Sequence, residues 1–355
     1  MMFGLKRVKT MIEWLKVIKR HIVAVVHKVQ VAYRVRRLRT RLVQLNTTVK
    51  SEQPTRRIVL ITLIEHLGDI VACEPIAREV RARHPNDYLV WMVRQRYREL
   101  LDYNPFIDAI LTVECITEWI NIRSERLYDV AIELHLRDHE CWICKVPLTK
   151  ESGEISMANY FHFGALLPVF SQSAGLPPLT DPPRLYVPKQ VAERVSALHL
   201  PKPFIALHAV SNEKTKDWQR AKWVELVEKI ETAYETCTVE IGHASVLPKR
   251  HRRFNYCKRL SILETAELIR TAVLFIGVDS GPAHLANAVE TFGIILLGKH
   301  RDFQRYMPYT GGYADGTNAD LIYSSTAPAD IAVERVFRAV ECRLNAALKP
   351  HLSNS

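Results

Sequence analysis

The sequence predicts an α/β protein: two Rossmann-like domains facing each other across a cleft, preceded by a basic amphipathic amino-terminal helix. Three observations carry this prediction. Apolar runs rich in Val, Ile and Leu alternate with helical patterns from residue 56 to residue 297, the signature of parallel sheets with crossover helices. A proline-rich run containing Pro177, Pro178, Pro182, Pro183 and Pro188 divides that alternation into two stretches. The stretch Leu274–Gly298, LFIGVDSGPAHLANAVETFGIILLG, reads as one strand–turn–helix–turn–strand unit. The expected organisation is a helical leader (1–54), a first Rossmann-like domain (55–185), a second (186–327), and a terminal helix with its tail (328–355).

A chain of 355 residues is long enough for two full cores. Its 48% hydrophobic and 25% charged content is that of a soluble globular protein, which excludes a largely disordered chain. The net charge of +11 is concentrated at one end. Residues 1–50 carry thirteen Lys or Arg against a single acid, Glu13, so the body is close to neutral and no nucleic-acid partner is expected. Seven cysteines, scattered and odd in number, fit a reducing compartment better than a disulfide framework. Cys141 and Cys144 form one C-x-x-C with no second pair nearby; zinc or redox use is the alternative reading of it, and no bound metal or cofactor is expected.

The leader reads as one long helix. Met11, Leu15, Ile18, Ile22, Val25 and Val29 recur at spacings of four and three, and Leu38, Leu42 and Leu45 continue the stripe among basic residues. Lys16, Lys19, Arg20 and Lys28 interrupt it, so it does not span a bilayer, and it lacks a signal-peptide cleavage site. Three readings stay open: the stripe lies on an anionic membrane surface, pairs with another helix to make a homo-oligomer, or packs on the body.

In the first domain, strands are expected at Arg56–Thr62, Tyr88–Val93, Ala109–Val113 and Tyr128–Leu134. A helix should run from Asp69 to Arg83, ended by His84-Pro85, with a further helical turn over Tyr97–Tyr103. Residues 135–162 have few periodic cues and read as a mobile substrate loop leading into a helix at Met157–Phe170. In the second domain, strands at Phe204–Leu207 and Thr238–Ile241 alternate with helices at Val191–Leu198, Arg220–Tyr234 and Leu263–Thr271. A last helix, Pro328–Leu348, shows an apolar face of Ile331, Val333, Val336, Val340 and Leu344.

Ligands of open α/β sheets bind beyond the carboxyl ends of the strands, and three loops should meet there. The first is Glu65-His66-Leu67-Gly68-Asp69, where Asp69 is either a helix N-cap or a general base. The second follows the first strand of domain two. It starts at His208 and offers Ser211 and Lys216 as phosphate donors, while Trp218 and Trp223 serve as anchors. The third is the turn Asp279-Ser280-Gly281-Pro282, with His284 one turn further on. Pro282 suits the first turn of a helix, and the helix amino terminus suits a phosphate.

These stretches resemble the ADP-heptose:lipopolysaccharide heptosyltransferase family (glycosyltransferase family 9), over about residues 55–345. The resemblance rests on Leu67-Gly68-Asp69 with Pro75 following, on Lys216-x-Trp218 followed by Trp223 and Leu226, and on Asp279-Ser-Gly-Pro-x-His284-Leu-Ala. It implies a GT-B fold and a metal-independent, inverting transfer. Asp69 would be the base. Lys216, Ser211, Ser280, Gly281 and His284 would hold the donor diphosphate, with Asp279, His208 and Gly242 near the donor sugar or nucleotide. The implied donor is ADP-heptose, and the implied acceptor a lipopolysaccharide-type or other surface glycan. With the basic leader, this places the protein in the cytoplasm, at the inner face of a bacterial membrane. Two features depart from the family: Ser280 stands where Thr is usual, and the loop after Thr238–Ile241 offers no carboxylate for a ribose. The alternatives are a same-fold enzyme with another nucleotide-sugar, or a non-catalytic membrane-bound binding or scaffold protein.

Overall fold

The computed structural model describes residues 2–150, 153–301, 303 and 306–348. Helix α1 spans Met2–Glu52. The first sheet is built from β1 (Ile58–Thr62), β2 (Tyr88–Arg94), β3 (Ala109–Val113) and β4 (Val130–Glu133), in the order β3-β2-β1-β4 with every pair parallel. Strand β1 is buried on both faces, which is why it reads as an unbroken apolar run. It is followed by α2 (Leu67–Ala72) and α3 (Pro75–Arg83). The sequence predicts one helix here. Pro75 has no N–H to continue the ladder, so the chain breaks at Cys73-Glu74 and restarts. Helix α4 covers Ile116–Ile122.

The described residues of 135–150 and 153–162 are packed rather than loose. They contain a small antiparallel hairpin, β5 (His139–Glu140) with β6 (Pro147–Leu148), and they bury Leu136, Cys141, Leu148 and Phe161. The following helix, α5, is Leu166–Ser173 and begins later than predicted. Gly164 at φ +121° holds the chain out of helical conformation just before it.

Helix α6 (Lys189–Ser196) leads into the second sheet. Its elements are β7 (Phe204–His208), α7 (Arg220–Ala233), β8 (Cys237–Glu240), β9 (Arg253–Asn255), α8 (Ile262–Thr271), β10 (Leu274–Val278), α9 (Gly281–Ala288), β11 (Gly293–Leu297), β12 (Ala319–Tyr323) and α10 (Val333–Leu348). The strand order is β12-β11-β10-β7-β8-β9, again all parallel. Both sheets thus reverse direction of growth beside their first strand, at β1/β4 and at β7/β10. Those are the switch points where an α/β sheet opens a crevice. The short strands β9 and β12 are not foreseen by the sequence reading.

The carboxy-terminal half of α1 belongs to the body. Val35, Leu38, Leu42 and Val49 are buried in one cluster with Ile58, Leu60, Val90, Met92 and Trp119. Of the three readings of the leader, packing on the body holds for this half. Further up the helix, Trp14, Val25, Val26, Val29 and Tyr33 are exposed. Met11, Leu15, Ile18 and Ile22 lie outside the described side chains. Among the described residues, no helix is long and apolar enough to cross a membrane.

Candidate active site

The two domains meet where α2 faces α9. A Cβ at Gly68 would lie 2.7 Å from Cδ2 of His284, and one at Gly281 would lie 2.7 Å from Cδ2 of Leu67. Gly68 leaves room for the His284 ring, and Gly281 for the Leu67 side chain, because the opposing helix starts approach each other that closely. The loop after β1 and the turn after β10 are therefore brought face to face, as the sequence reading requires.

Asp69 sits in the first turn of α2, partly open to the cleft. Burial holds its carboxyl above the usual carboxylate range. The nearby His66, His139 and Lys216 pull the other way, and Asp279 adds to the rise. A carboxylate raised towards neutrality is suited to accept a proton. His66, just before α2, has φ +69° and ψ 118°, outside the ordinary regions for a side-chain-bearing residue. Behind it Glu65 is buried, and its Oε2 lies 3.1 Å from His139 Nε2. Burial pushes Glu65 upward, but His139, with His66 and Arg94, more than offsets this and leaves it below the usual range. His135 completes the group. Its Nε2 accepts from the Ile64 backbone N–H at 3.1 Å, and burial keeps it neutral.

Opposite stands a cation held by one acid and one phenol. Lys216 Nζ is 2.7 Å from Asp279 Oδ2 and donates to the Tyr306 hydroxyl at 2.9 Å. The Tyr306 hydroxyl also donates to Asp279 Oδ2, and the Tyr309 hydroxyl donates to Oδ1 at 2.9 Å. Burial would raise Asp279. Lys216 above all, then His284 and the Tyr306 hydroxyl, overcome that and bring its carboxyl down to about 2. Asp279 is thus a fixed anion that locks Lys216 in place. Lys216 keeps part of its surface open, and its loop is tied down behind it. Asp217 accepts from the Ser211 backbone N–H at 2.7 Å, and Trp218 donates to the Ile331 carbonyl at 3.0 Å.

The remaining expected residues divide into two groups. Ser280, Gly281, His208 and Gly242 converge. Ser280 Oγ is 2.9 Å from His208 Nδ1, and Gly242, at φ +108°, leaves room for the His208 ring, which a Cβ would meet at 2.5 Å. Burial lowers both His208 and His284 to about 4, so both are neutral at physiological pH. His284 packs on Tyr309 with ring centroids 4.7 Å apart. Ser211 stands apart, its hydroxyl donating within its own loop to the Glu213 carbonyl at 2.7 Å. The loop after β8 itself offers no carboxylate, but a buried one stands at the end of the strand. Glu240 Oε1 accepts from the Val246 backbone N–H at 2.7 Å and so holds that loop. Sequence reading missed Tyr306, Tyr309 and His139. The only signal was a run of polar aromatics after β11, Tyr306-Met-Pro-Tyr309.

Two Rossmann-like domains that meet at the starts of α2 and α9 have the arrangement of the GT-B glycosyltransferase fold. The matches agree. Residues 165–315 match the profile of glycosyltransferase family 9 (heptosyltransferase), so the chain is a glycosyltransferase carrying a domain of that family. The fold is shared with the family 9 glycosyl transferase from Veillonella parvula. There the TM-score is 0.62 at 16% identity, covering 81% of this chain and 97% of the other. It is shared too with Escherichia coli ADP-heptose lps heptosyltransferase II, at TM-score 0.60 and 17% identity, covering 82% of this chain and 99% of that one. E. coli heptosyltransferase WaaC, solved with ADP-2-deoxy-2-fluoro heptose, aligns at TM-score 0.52 and 14% identity, covering 80% and 99%. No curated protein matches the chain in sequence.

Proposed function

We propose that the protein transfers a sugar, with inversion, from a nucleoside diphosphate sugar to an acceptor hydroxyl, using Asp69 as base. The observation that carries this is the approach of α2 to α9, which sets Asp69 against the Lys216–Asp279 pair. Asp69 removes the acceptor proton as the new glycosidic bond forms. The bond from the sugar to the diphosphate breaks, and its electrons leave with the nucleoside diphosphate. Lys216 and the N–H groups at the start of α9 stabilise that departing charge. Neutral His284 and His208 shape the pocket without adding charge. Asp279, already engaged, holds Lys216 in place.

Heptose from ADP-heptose is the donor we favour, because an E. coli heptosyltransferase of the same fold was solved with an ADP-heptose analogue. The competing reading is a UDP- or GDP-sugar. The observation behind it is that the loop after β8 carries no carboxylate, and Glu240 at the end of that strand is already engaged by the Val246 N–H. Thermal shift with ADP, UDP and GDP decides. Stabilisation by ADP alone is expected, and stabilisation by UDP or GDP instead would overturn the donor assignment.

The acceptor proposed is a lipid-linked, lipopolysaccharide-type glycan at the inner face of a bacterial membrane. What supports this is the exposed apolar set Trp14, Val25, Val26, Val29 and Tyr33 among Lys19, Lys28, Arg36 and Arg37. Flotation with vesicles containing anionic lipid should carry the protein upward, and neutral vesicles should not. Binding that ignores lipid charge, or no binding, would instead favour pairing with a second copy.

A further inference from the structure

The cysteines that looked isolated in sequence are gathered in space. Cys115 is the residue before α4, and Cys141 and Cys144 lie in the turn between β5 and β6. Their sulfurs all fall within 4.8 Å of one another, with Cys115 Sγ and Cys144 Sγ 3.6 Å apart. That is too long for a disulfide bond of about 2.05 Å. A fourth ligand atom arrives from α1: His27 Nε2 is 3.2 Å from Cys144 Sγ. In a tetrahedron with Zn–S of about 2.3 Å and Zn–N of about 2.0 Å, ligand atoms stand roughly 3.5–3.8 Å apart, a spacing that the Cys115–Cys144 pair matches, while His27 lies at the edge of the three-sulfur group, against Cys144 Sγ. The turn itself has the form of a metal knuckle. The Cys144 backbone N–H points to Cys141 Sγ at 3.4 Å, the Cys141 N–H donates to the Val146 carbonyl at 2.9 Å, and Lys145 takes φ +57° to turn the chain back.

We propose that His27, Cys115, Cys141 and Cys144 form a structural Cys3His site for one zinc ion. Four protein ligands leave no open coordination position, so the ion is structural and stands outside the transfer chemistry. It joins three segments distant in sequence: α1, the start of α4 and the β5–β6 hairpin. Residues 25–33 of α1 expose most of their apolar side chains, and His27 ties that stretch to the first domain. The hairpin also carries His139, partner of Glu65, only two residues from Cys141. The ion thus sets both the direction of the amino-terminal helix and the wall behind Asp69.

Elemental analysis of the full-length protein, purified without chelators, should give about one zinc per chain. Cobalt exchanged into the wild-type protein should show the visible bands of a tetrahedral, thiolate-bound ion. Cys144→Ser should reduce zinc affinity by roughly 100-fold or more, and His27→Gln by at least about 10-fold. Cys342→Ala, on the exposed face of α10, should leave metal content unchanged. If Cys144→Ser does not fold, the cobalt spectrum and His27→Gln still decide. Metal-free protein that fails to take up zinc, or a Cys115–Cys144 disulfide in the isolated protein, would overturn the site. Iron in place of zinc would overturn the metal assignment, and zinc affinity unaltered by His27→Gln would overturn the fourth ligand.

Discussion

Two aspartates face each other across the cleft, and their surroundings push them in opposite directions. Asp69, on the first domain, has no cation bonded to it among the described residues, and burial raises it. Asp279, on the second, is the more deeply buried of the two, but it receives Lys216 and two tyrosine hydroxyls and falls to about 2. One carboxylate is left able to change protonation, whereas the other is fixed as an anion. A pair of acids driven apart in this way marks which one handles a proton and which one supports structure and charge.

The comparison can be broken by substitution. The largest effect should come from Asp69→Asn, which lowers transfer about 10²- to 10⁴-fold while leaving the Kd for ADP unchanged in calorimetry. Next, Lys216→Ala should weaken ADP binding about 10- to 100-fold, the loss of one charge-assisted bond to a phosphate. Stability should then separate the two acids. Asp279 is depressed in the folded state, so its contribution of about 2 kcal/mol is present above its unfolded pKa and is lost as pH falls from about 4 to about 2. Asp279→Asn should therefore lower the denaturant midpoint at pH 7. Asp69 is raised in the folded state, so its ionisation works against folding, and Asp69→Asn should raise the midpoint at pH 7. The smallest effect is expected for Tyr309→Phe, which removes one hydrogen bond to Asp279 and should lower stability by about 1 kcal/mol, read by urea unfolding.

Much of this arrangement could be read from residues alone. Strands β1, β7 and β10 are buried on both faces, so they leave continuous apolar runs, and the functional loops begin where those runs stop. Asp69, Lys216 and Asp279 were legible for that reason. Tyr306 and Tyr309 were not, because an aromatic residue in a long connection reads the same whether it packs or donates to a carboxylate. The partner of α1 was not legible either. An apolar stripe at helical spacing suits a membrane, a second helix or a sheet equally, and only the fold shows Leu38 and Leu42 against β1 and β2. The cysteine cluster escaped because its members come from three separate elements, and C-x-x-C spacing finds only local pairs. Glu240 was overlooked because it lies within a strand rather than in the loop that it holds.

The central claim is that the Asp69 carboxylate is the proton acceptor facing a preformed cation. Its most direct test is the pH dependence of single-turnover sugar transfer by the wild-type protein and by Asp69→Asn. The wild-type rate should climb with pH through an ionisation above the ordinary aspartate range, and the small residual rate of Asp69→Asn should lack that step. The same step persisting in Asp69→Asn, or a wild-type rate in that variant, would contradict the account.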